Sequence, residues 1–341
     1  MQKSSKISLL ILVLLFGAVI LGGCGSSFTV PQEGEEKDGT ITENDRGNFS
    51  VNAAGAGKEQ ALLLYYQEPE GEYLVPITVT RSETANPERA IVSLLAQDLP
   101  SGSWIVSPFP RGVYVEDLEI REGIAAIKLM VDSSFTGFER GSAELLAKSL
   151  VFSLSSLPEI NMVEITADIV WPVDSMLQEF PAGLKNPREL ILNPLEKMRS
   201  GDKGALLWFG GTDAMYMVPV TRKIDGLPEQ PEEAAEFLLG ELKRGPGDAY
   251  PLLASFSPET TVLGVKVKDG LAEVNFNDAF AEQQTVCSEW VAINSIVLTL
   301  TELPEIDRVQ ILIEGRIVDA VPGQIDTSAP LKRGNVNWLT R

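Results

Sequence analysis

The chain has 341 residues, 48 of them acidic and 28 basic, giving a formal net charge of −20, and it contains no histidine. That balance argues against nucleic acid or an anionic membrane surface as a general partner, and the missing histidine removes Ser-His-Asp and Cys-His catalysis and every His-ligated metal site. At 44% hydrophobic the chain can bury cores, and its length points to two domains.

Residues 1–23 have the form of a secretory signal peptide. Lys3 and Lys6 precede an apolar stretch at residues 7–21, which is short of the roughly 20 residues that a spanning helix needs. It runs into "LGGC" (21–24), which resembles the lipobox of bacterial lipoproteins, so Cys24 is the expected lipidation site and mature N-terminus; the alternative is an uncleaved anchor. Two acyl chains on Cys24 would suffice for stable membrane attachment. Residues 24–60 are rich in Gly, Ser, Glu and Asn without apolar periodicity, and read as a disordered tether. Its part from 28 to 60 would span roughly 30 Å as a coil and on the order of 110 Å fully stretched.

The first predicted element is "ALLLYY" (61–66), an apolar run that reads as a buried strand, followed by a second strand in "YLVPITV" (73–79). "NPERAIVSLL" (86–95) reads as a helix: Pro87 sits at the first helical position, where its missing N–H costs nothing, and Ala90, Ile91, Leu94 and Leu95 form the apolar stripe. "LEIREGIAAIKL" (118–129) alternates apolar residues on both sides of Glu122-Gly123 and reads as a β-hairpin. Leu146, Leu150, Leu154 and Leu157 mark a longer helix stopped by Pro158, and a closing strand opens at 163–165.

The same series then recurs. "ALLWFG" (205–210), "YMVPVTR" (216–222), "QPEEAAEFLL" (230–239), "VKVKDGLAEVNF" (265–276), a helix marked by Ile293, Val297, Leu300 and Leu303, its stop at Pro304 and a strand at 309–311 follow in order. "LSSLPEINMVEI" (154–165) and "LTELPEIDRVQI" (300–311) are the same helix end, proline stop and strand written twice. The chain is a tandem duplication. The expected fold class is α+β, two tandem homologous modules, each β-β-α-β-β-α-β with a mixed sheet and two helices. Module 1 covers 61–170 and module 2 covers 205–322. Between them lies a Pro- and Gly-rich linker at 171–204 with a short helix around "RELILNPLEKM", and after them a polar, loose tail at 323–341 in which Trp338 can dock.

The chemistry-bearing residues read as structural. Asp132 and Asp278 each follow a hairpin strand, but they belong to separate modules and lack the ligand spacing of a calcium loop, so a turn or cap role is expected. "FGGTDA" (209–214) lies between two strands and reads as a hairpin turn, not a phosphate loop. Ser142 and Ser288 read as helix caps, and Cys287, inside an apolar helical pattern, as a small buried hydrophobe. No catalytic residue, cofactor-binding residue or metal ligand is assigned.

The set of "YLVPITV"/"YMVPVTR", the Pro-initiated helices, the Gly-turn hairpins and the "LPEI" stops, behind a lipobox and an acidic tether, resembles the GerM family of sporulation and germination lipoproteins with tandem GerMN modules. The resemblance implies a membrane lipoprotein made in the mother cell and anchored in the outer forespore membrane. It implies forespore channel or ring-forming envelope proteins as partners in protein-protein interaction, and a need for the protein in spore formation and germination.

Two function classes follow. The first is a non-enzymatic envelope scaffold or adaptor. With five strands and two helices per module, a sheet edge or face is expected to stay uncovered, and an edge can take a strand from a partner. The second is a lipoprotein that holds a small ligand or cell-wall fragment between its two modules. An enzyme working with carboxylates alone is a third class, which would need two Asp or Glu across one cleft.

Overall fold

The computed structural model describes residues 59–339, apart from 101–102, 140, 174–175, 200, 283–285 and 321–324. The expected signal peptide, Cys24 and the expected tether up to residue 58 lie outside the described residues. The first half runs β1 (Glu59–Gln67), β2 (Leu74–Ser82), α1 (Pro87–Leu95), β3 (Val113–Arg121), β4 (Ile124–Val131), α2 (Ser142–Leu154), β5 (Met162–Ala167), β6 (Val170–Val173), β7 (Met176–Glu179) and β8 (Gly183–Lys185). The second half runs β9 (Lys203–Gly210), β10 (Met217–Ile224), α3 (Pro231–Arg244), β11 (Val262–Lys268), β12 (Leu271–Phe276), α4 (Val286–Leu300), β13 (Arg308–Ile313), β14 (Arg316–Ile317), β15 (Leu331–Lys332) and β16 (Trp338–Leu339). The order β-β-α-β-β-α-β occurs twice, as the sequence predicts. Among the described residues no helix is long and apolar enough to cross a membrane.

Each module pairs a two-stranded hairpin with a three-stranded core sheet. In module 1, β3 and β4 are antiparallel, and β4 and β5 parallel, because α2 carries the chain across between them; β11, β12 and β13 repeat this with α4. The tight turns follow from backbone chemistry. Glu122 and Gly123 have φ of 51° and 79°, Asp269 and Gly270 49° and 77°, so both central residues are left-handed, as a hairpin with two-residue turn requires. A Cβ on Gly123 would stand 2.7 Å from Asn161 Nδ2, and one on Gly270 2.7 Å from Asp307 Oδ2, so these two turns also need the smallest residue. The predicted stripes face inward: Ala90, Ile91, Leu94 and Leu95 are buried, as are Leu146, Leu150 and Leu154 and their module 2 counterparts.

One register differs from the sequence reading. Matching "ALLLYY" to "ALLWFG" letter by letter places Leu64 over Trp208. The structure pairs Leu64 with Ile77 and Leu207 with Val220, so Leu64 corresponds to Leu207, Tyr65 to Trp208 and Tyr66 to Phe209. Burial shows why: Leu62, Leu64 and Tyr66 face the core, as do Ala205, Leu207 and Phe209, and a slip of one residue would turn that set to the other face.

Long strand edges are occupied internally. On β1, Tyr65 N donates to Ser153 Oγ (2.9 Å), and its carbonyl accepts from Ser149 Oγ (2.5 Å). On β9, Trp208 N donates to Thr299 Oγ1 (3.0 Å), the position equivalent to Ser153. Glu236 and Glu232 of α3 accept from Val265 N and Val267 N on the outer side of β11. On β3, Leu118 N is taken by Asp117 Oδ1 and its carbonyl by Arg89, beside a bulge between Val115 and Asp117. Strand addition at these positions, expected from the strand count, would have to displace those partners.

The sheet faces differ. Glu119, Ala126, Glu164 and Leu184 form one cross-strand row on the outer face of module 1, and Leu184 is 52% exposed. The matching row in module 2 is Lys266, Glu273 and Gln310, and Gln310 is buried, its Nε2 donating to Thr327 O at 2.7 Å.

The segments at 171–204 and 323–341 are built alike. β8 adds to β5, with Val163 opposite Lys185, and β15 adds to β13, with Val309 opposite Leu331. Each segment then crosses to the other module: Pro194 bridges Thr221 of β10, and β16 runs parallel to β2 with Trp338 opposite Thr78. The tail is thus not loose, because its backbone completes a sheet. The helix expected around 188–198 is a single 3₁₀ turn, Pro187–Glu189, since the chain must extend to reach β10.

Candidate functional site

The two hairpins meet at one junction, where equivalent residues make exchanged contacts. Tyr73 and Tyr216, the tyrosines of "YLVP" and "YMVP", are 1% and 4% exposed, and their side chains approach each other at the junction. Each also meets a ring from the opposite module. Trp104, from the α1–β3 loop, stacks on Tyr216 at 4.4 Å between centroids, and Tyr250, from the α3–β11 loop, meets Tyr73 edge-on at 5.1 Å. Burial raises the hydroxyl pKa of all three tyrosines; for Tyr250 burial and the nearby Glu72 push it up to about 12.

Two asparagines close the junction. Asn193 Oδ1 accepts from Leu74 N (2.9 Å), while its Nδ2 donates to Leu74 O (2.8 Å) and Pro219 O (2.7 Å). Asn337 Oδ1 accepts from Met217 N (2.6 Å), while its Nδ2 donates to Met217 O (2.7 Å) and Pro76 O (2.7 Å). Leu74 corresponds to Met217 and Pro76 to Pro219, so the two clamps are one arrangement seen from opposite modules. Sequence reasoning missed both asparagines. The available signal was "LNP" at 192–194 and "VNW" at 336–338, an asparagine between apolar residues at a matching offset.

On either side of this junction lies a groove. The larger, about 820 Å³, runs between α2, the segment 188–202 and the hairpin β9/β10, over Tyr65, Phe152 and Leu192. The smaller, about 240 Å³, lies between β1, β2, Trp208 and residues 333–336. Tyr65 borders both. Its pKa is pushed up to about 12 by burial of the hydroxyl and by Glu302, with Arg333 opposing. The carboxylates along the larger groove are each held by a neighbour: Glu144 by Lys148 (2.9 Å), Asp202 by Lys223 (2.9 Å) and Glu189 by Asn186 Nδ2 (3.0 Å).

The residues singled out in the sequence are not brought together. Asp132 Oδ1 accepts from Ser134 N and Oγ, a side-chain turn that lowers its pKa. Asp278 opens a separate 3₁₀ turn, Asp278–Phe280. "FGGTDA" is the β9–β10 turn, closed by Gly211 N donating to Tyr216 O (2.8 Å). Ser142 is not a cap but the first residue of α2, whose N-cap is Gly141 with φ 83°; Ser288 likewise lies inside α4. A glycine takes the left-handed entry to α2 that serine would resist. Cys287 lies in α4, and its side chain is outside the described residues. Among the described residues, no three or more Cys, Asp or Glu side chains are grouped to hold a metal ion.

The fold is shared with the tandem GerMN domains of the sporulation protein GerM from Bacillus subtilis. The TM-score is 0.60 at 22% identity, covering 82% of this chain and 99% of that one. Over its sequence, the chain is 24% identical to the spore germination protein GerM of Bacillus subtilis (strain 168), along 89% of each. The family described as sporulation and spore germination, Germane, matches at residues 63–168 and 206–319, one stretch per module and together more than half of the chain. The chain belongs to the Germane family of sporulation and spore germination proteins.

Proposed function

We propose that the protein is a non-enzymatic lipoprotein of the sporulation envelope, acting as a scaffold or adaptor that helps assemble or localise the channel complex between mother cell and forespore. Its partners on this reading are forespore channel or ring-forming envelope proteins, and Cys24 is its lipid anchor in the outer forespore membrane. The observation that supports it is the locked tandem. Asn193 and Asn337 clamp the two modules together, and the outer strands already hold partners at Trp208 and Val267. Contact with another protein then falls to a sheet face, and module 1 has the open one, with Glu119, Glu164 and Leu184 in a row. The test is crosslinking from sporulating cells with a Glu119→Lys/Glu164→Lys variant. Wild type should capture channel components and the folded variant should not; equal capture by both would remove the face from the reading, and no capture by either would remove the adaptor.

A second reading, a ligand held between the modules, is favoured by the groove of about 820 Å³ at their junction. A thermal-shift series with envelope glycan fragments and peptides tests it.

A further inference from the structure

The two grooves are copies of one another, and one is filled by the protein itself. Ala61, Leu63 and Thr78 line the small groove where Gly204, Leu206 and Thr221 line the large one, and Trp208 stands in the small groove as Tyr65 stands in the large. In the small groove the Arg333 guanidinium lies 5.1 Å from the centre of the Trp208 ring. It donates to Leu298 O (3.0 Å), in the last turn of α4, and pairs with Glu302 Oε1 (2.8 Å), which also accepts from Trp208 Nε1 (3.0 Å). A cation, an aromatic face, a helix C-terminal carbonyl and a carboxylate make one closed set.

The large groove has the ring and the carbonyl but neither the plug nor its carboxylate: the α2 counterpart of Glu302 is Ser156, whose Oγ donates to Ser153 O (2.7 Å). Tyr65 supplies the ring, resting on Phe152 at 5.4 Å between centroids. Phe152 is the α2 counterpart of Leu298, and among the described residues no donor reaches its carbonyl: Ser155 N bonds to Val151 O, Ser156 N to Ser153 O and Leu157 N to Leu154 O. Arg333 stands four residues before Asn337. Four residues before Asn193 stands Glu189, exposed, acidic and unable to plug the groove. The six charged residues along the groove are Lys148, Arg188, Arg199, Glu144, Glu189 and Asp202, three of each sign, so its rim does not exclude a cation.

We infer that the large groove binds a guanidinium or ammonium group from outside the chain, seated between the Tyr65 ring and the Phe152 carbonyl in the manner in which Arg333 is seated on Trp208. The site rests on the second functional reading, a ligand held between the modules, and names its chemistry. The cation comes either from a basic side chain of another polypeptide or from a free small amine.

The experiment is titration calorimetry on the full chain with three probes: a capped Gly-Arg-Gly tripeptide, its citrulline counterpart, which has the same shape without the charge, and agmatine. One equivalent of the arginine peptide or of agmatine should bind, with citrulline weaker by about tenfold or more. Tighter binding of the peptide assigns the cation to a protein, and tighter binding of agmatine assigns it to a small amine. Tyr65→Phe should retain binding, and Tyr65→Leu should lose about tenfold. Should Tyr65→Leu fail to fold, Glu189→Arg, on an exposed turn, gives the same reading: it installs the missing plug and should abolish binding. Arg333→Ala should open the second groove and raise the stoichiometry from one towards two. Equal binding of the arginine and citrulline peptides, abolished by Glu189→Arg, would leave a ligand groove but overturn the cation. Binding indifferent to Tyr65→Leu and Glu189→Arg would also overturn it, and no binding of any probe to wild type or Arg333→Ala would sink the cation site together with the ligand reading.

Discussion

Asn193 and Asn337 have the same left-handed backbone, φ 46° and 49°, and each ties the first hairpin to the second with three side-chain hydrogen bonds. Asparagine suits the place twice over. It tolerates positive φ better than other residues with a side chain, and its amide can serve a backbone N–H and a backbone C=O at once.

Replacing either asparagine by alanine strands buried backbone groups of β2 and β10 and retains the unfavourable φ. Asn193→Ala and Asn337→Ala should each cost about 2–4 kcal/mol. Equilibrium denaturation in urea measures this, and a cost below about 0.5 kcal/mol for both would mean that the clamps are ornamental.

The hairpin turns make a backbone prediction. Gly123→Ala and Gly270→Ala place a Cβ at positive φ and against Asn161 or Asp307. Each should destabilise by about 1–3 kcal/mol, while a Glu122→Asn change at the preceding left-handed position should be neutral or stabilising. Thermal melts of the three variants check the order.

Alkaline pH should act through the junction tyrosines. Tyr65 and Tyr250 have folded pKa values raised to about 12 from the usual 10. The folded state therefore holds their protons more tightly than the unfolded chain, and the associated stability is complete below pH 10 and lost as pH rises through 12. Circular dichroism from pH 8 to 12 should show unfolding within that window, and Tyr65→Phe with Tyr250→Phe should move its midpoint upward.

At the N-terminus, mass spectrometry of the mature protein should find cleavage before Cys24 and a diacylglycerol on that residue. Cys24→Ala should accumulate as unlipidated, poorly processed protein. A wild-type N-terminus elsewhere would overturn the anchor.

Both modules were legible in the sequence as far as periodicity reaches. Pro87 and Pro231 mark helix starts, Gly123 and Gly270 mark turns, and alternation marks the hairpins around them. The register of β1 against β9 was not legible from matching letters, because the face is set by the partner strand, Ile77 or Val220, and not by the run itself. The closing segments were hidden for another reason. Residues 186–199 and 331–339 bond mainly through backbone and two asparagines to partners outside their own segments, 26 positions away for Asn193 to Pro219 and 261 for Asn337 to Pro76, and such pairing leaves no local period. A ligand between the modules was among the sequence readings, but the lining of the groove was not legible, since it depends on how residues 188–202 lie against α2 and β9.

The third strand beside β2 is Trp338–Leu339, so the first half of the protein is finished by residues made some 260 positions later than β2. A chain synthesised from its N-terminus keeps that side of β2 open until residues 338–339 have been added. Assembly thus ends in a single late event, and a chain truncated near its C-terminus carries the defect in its N-terminal half.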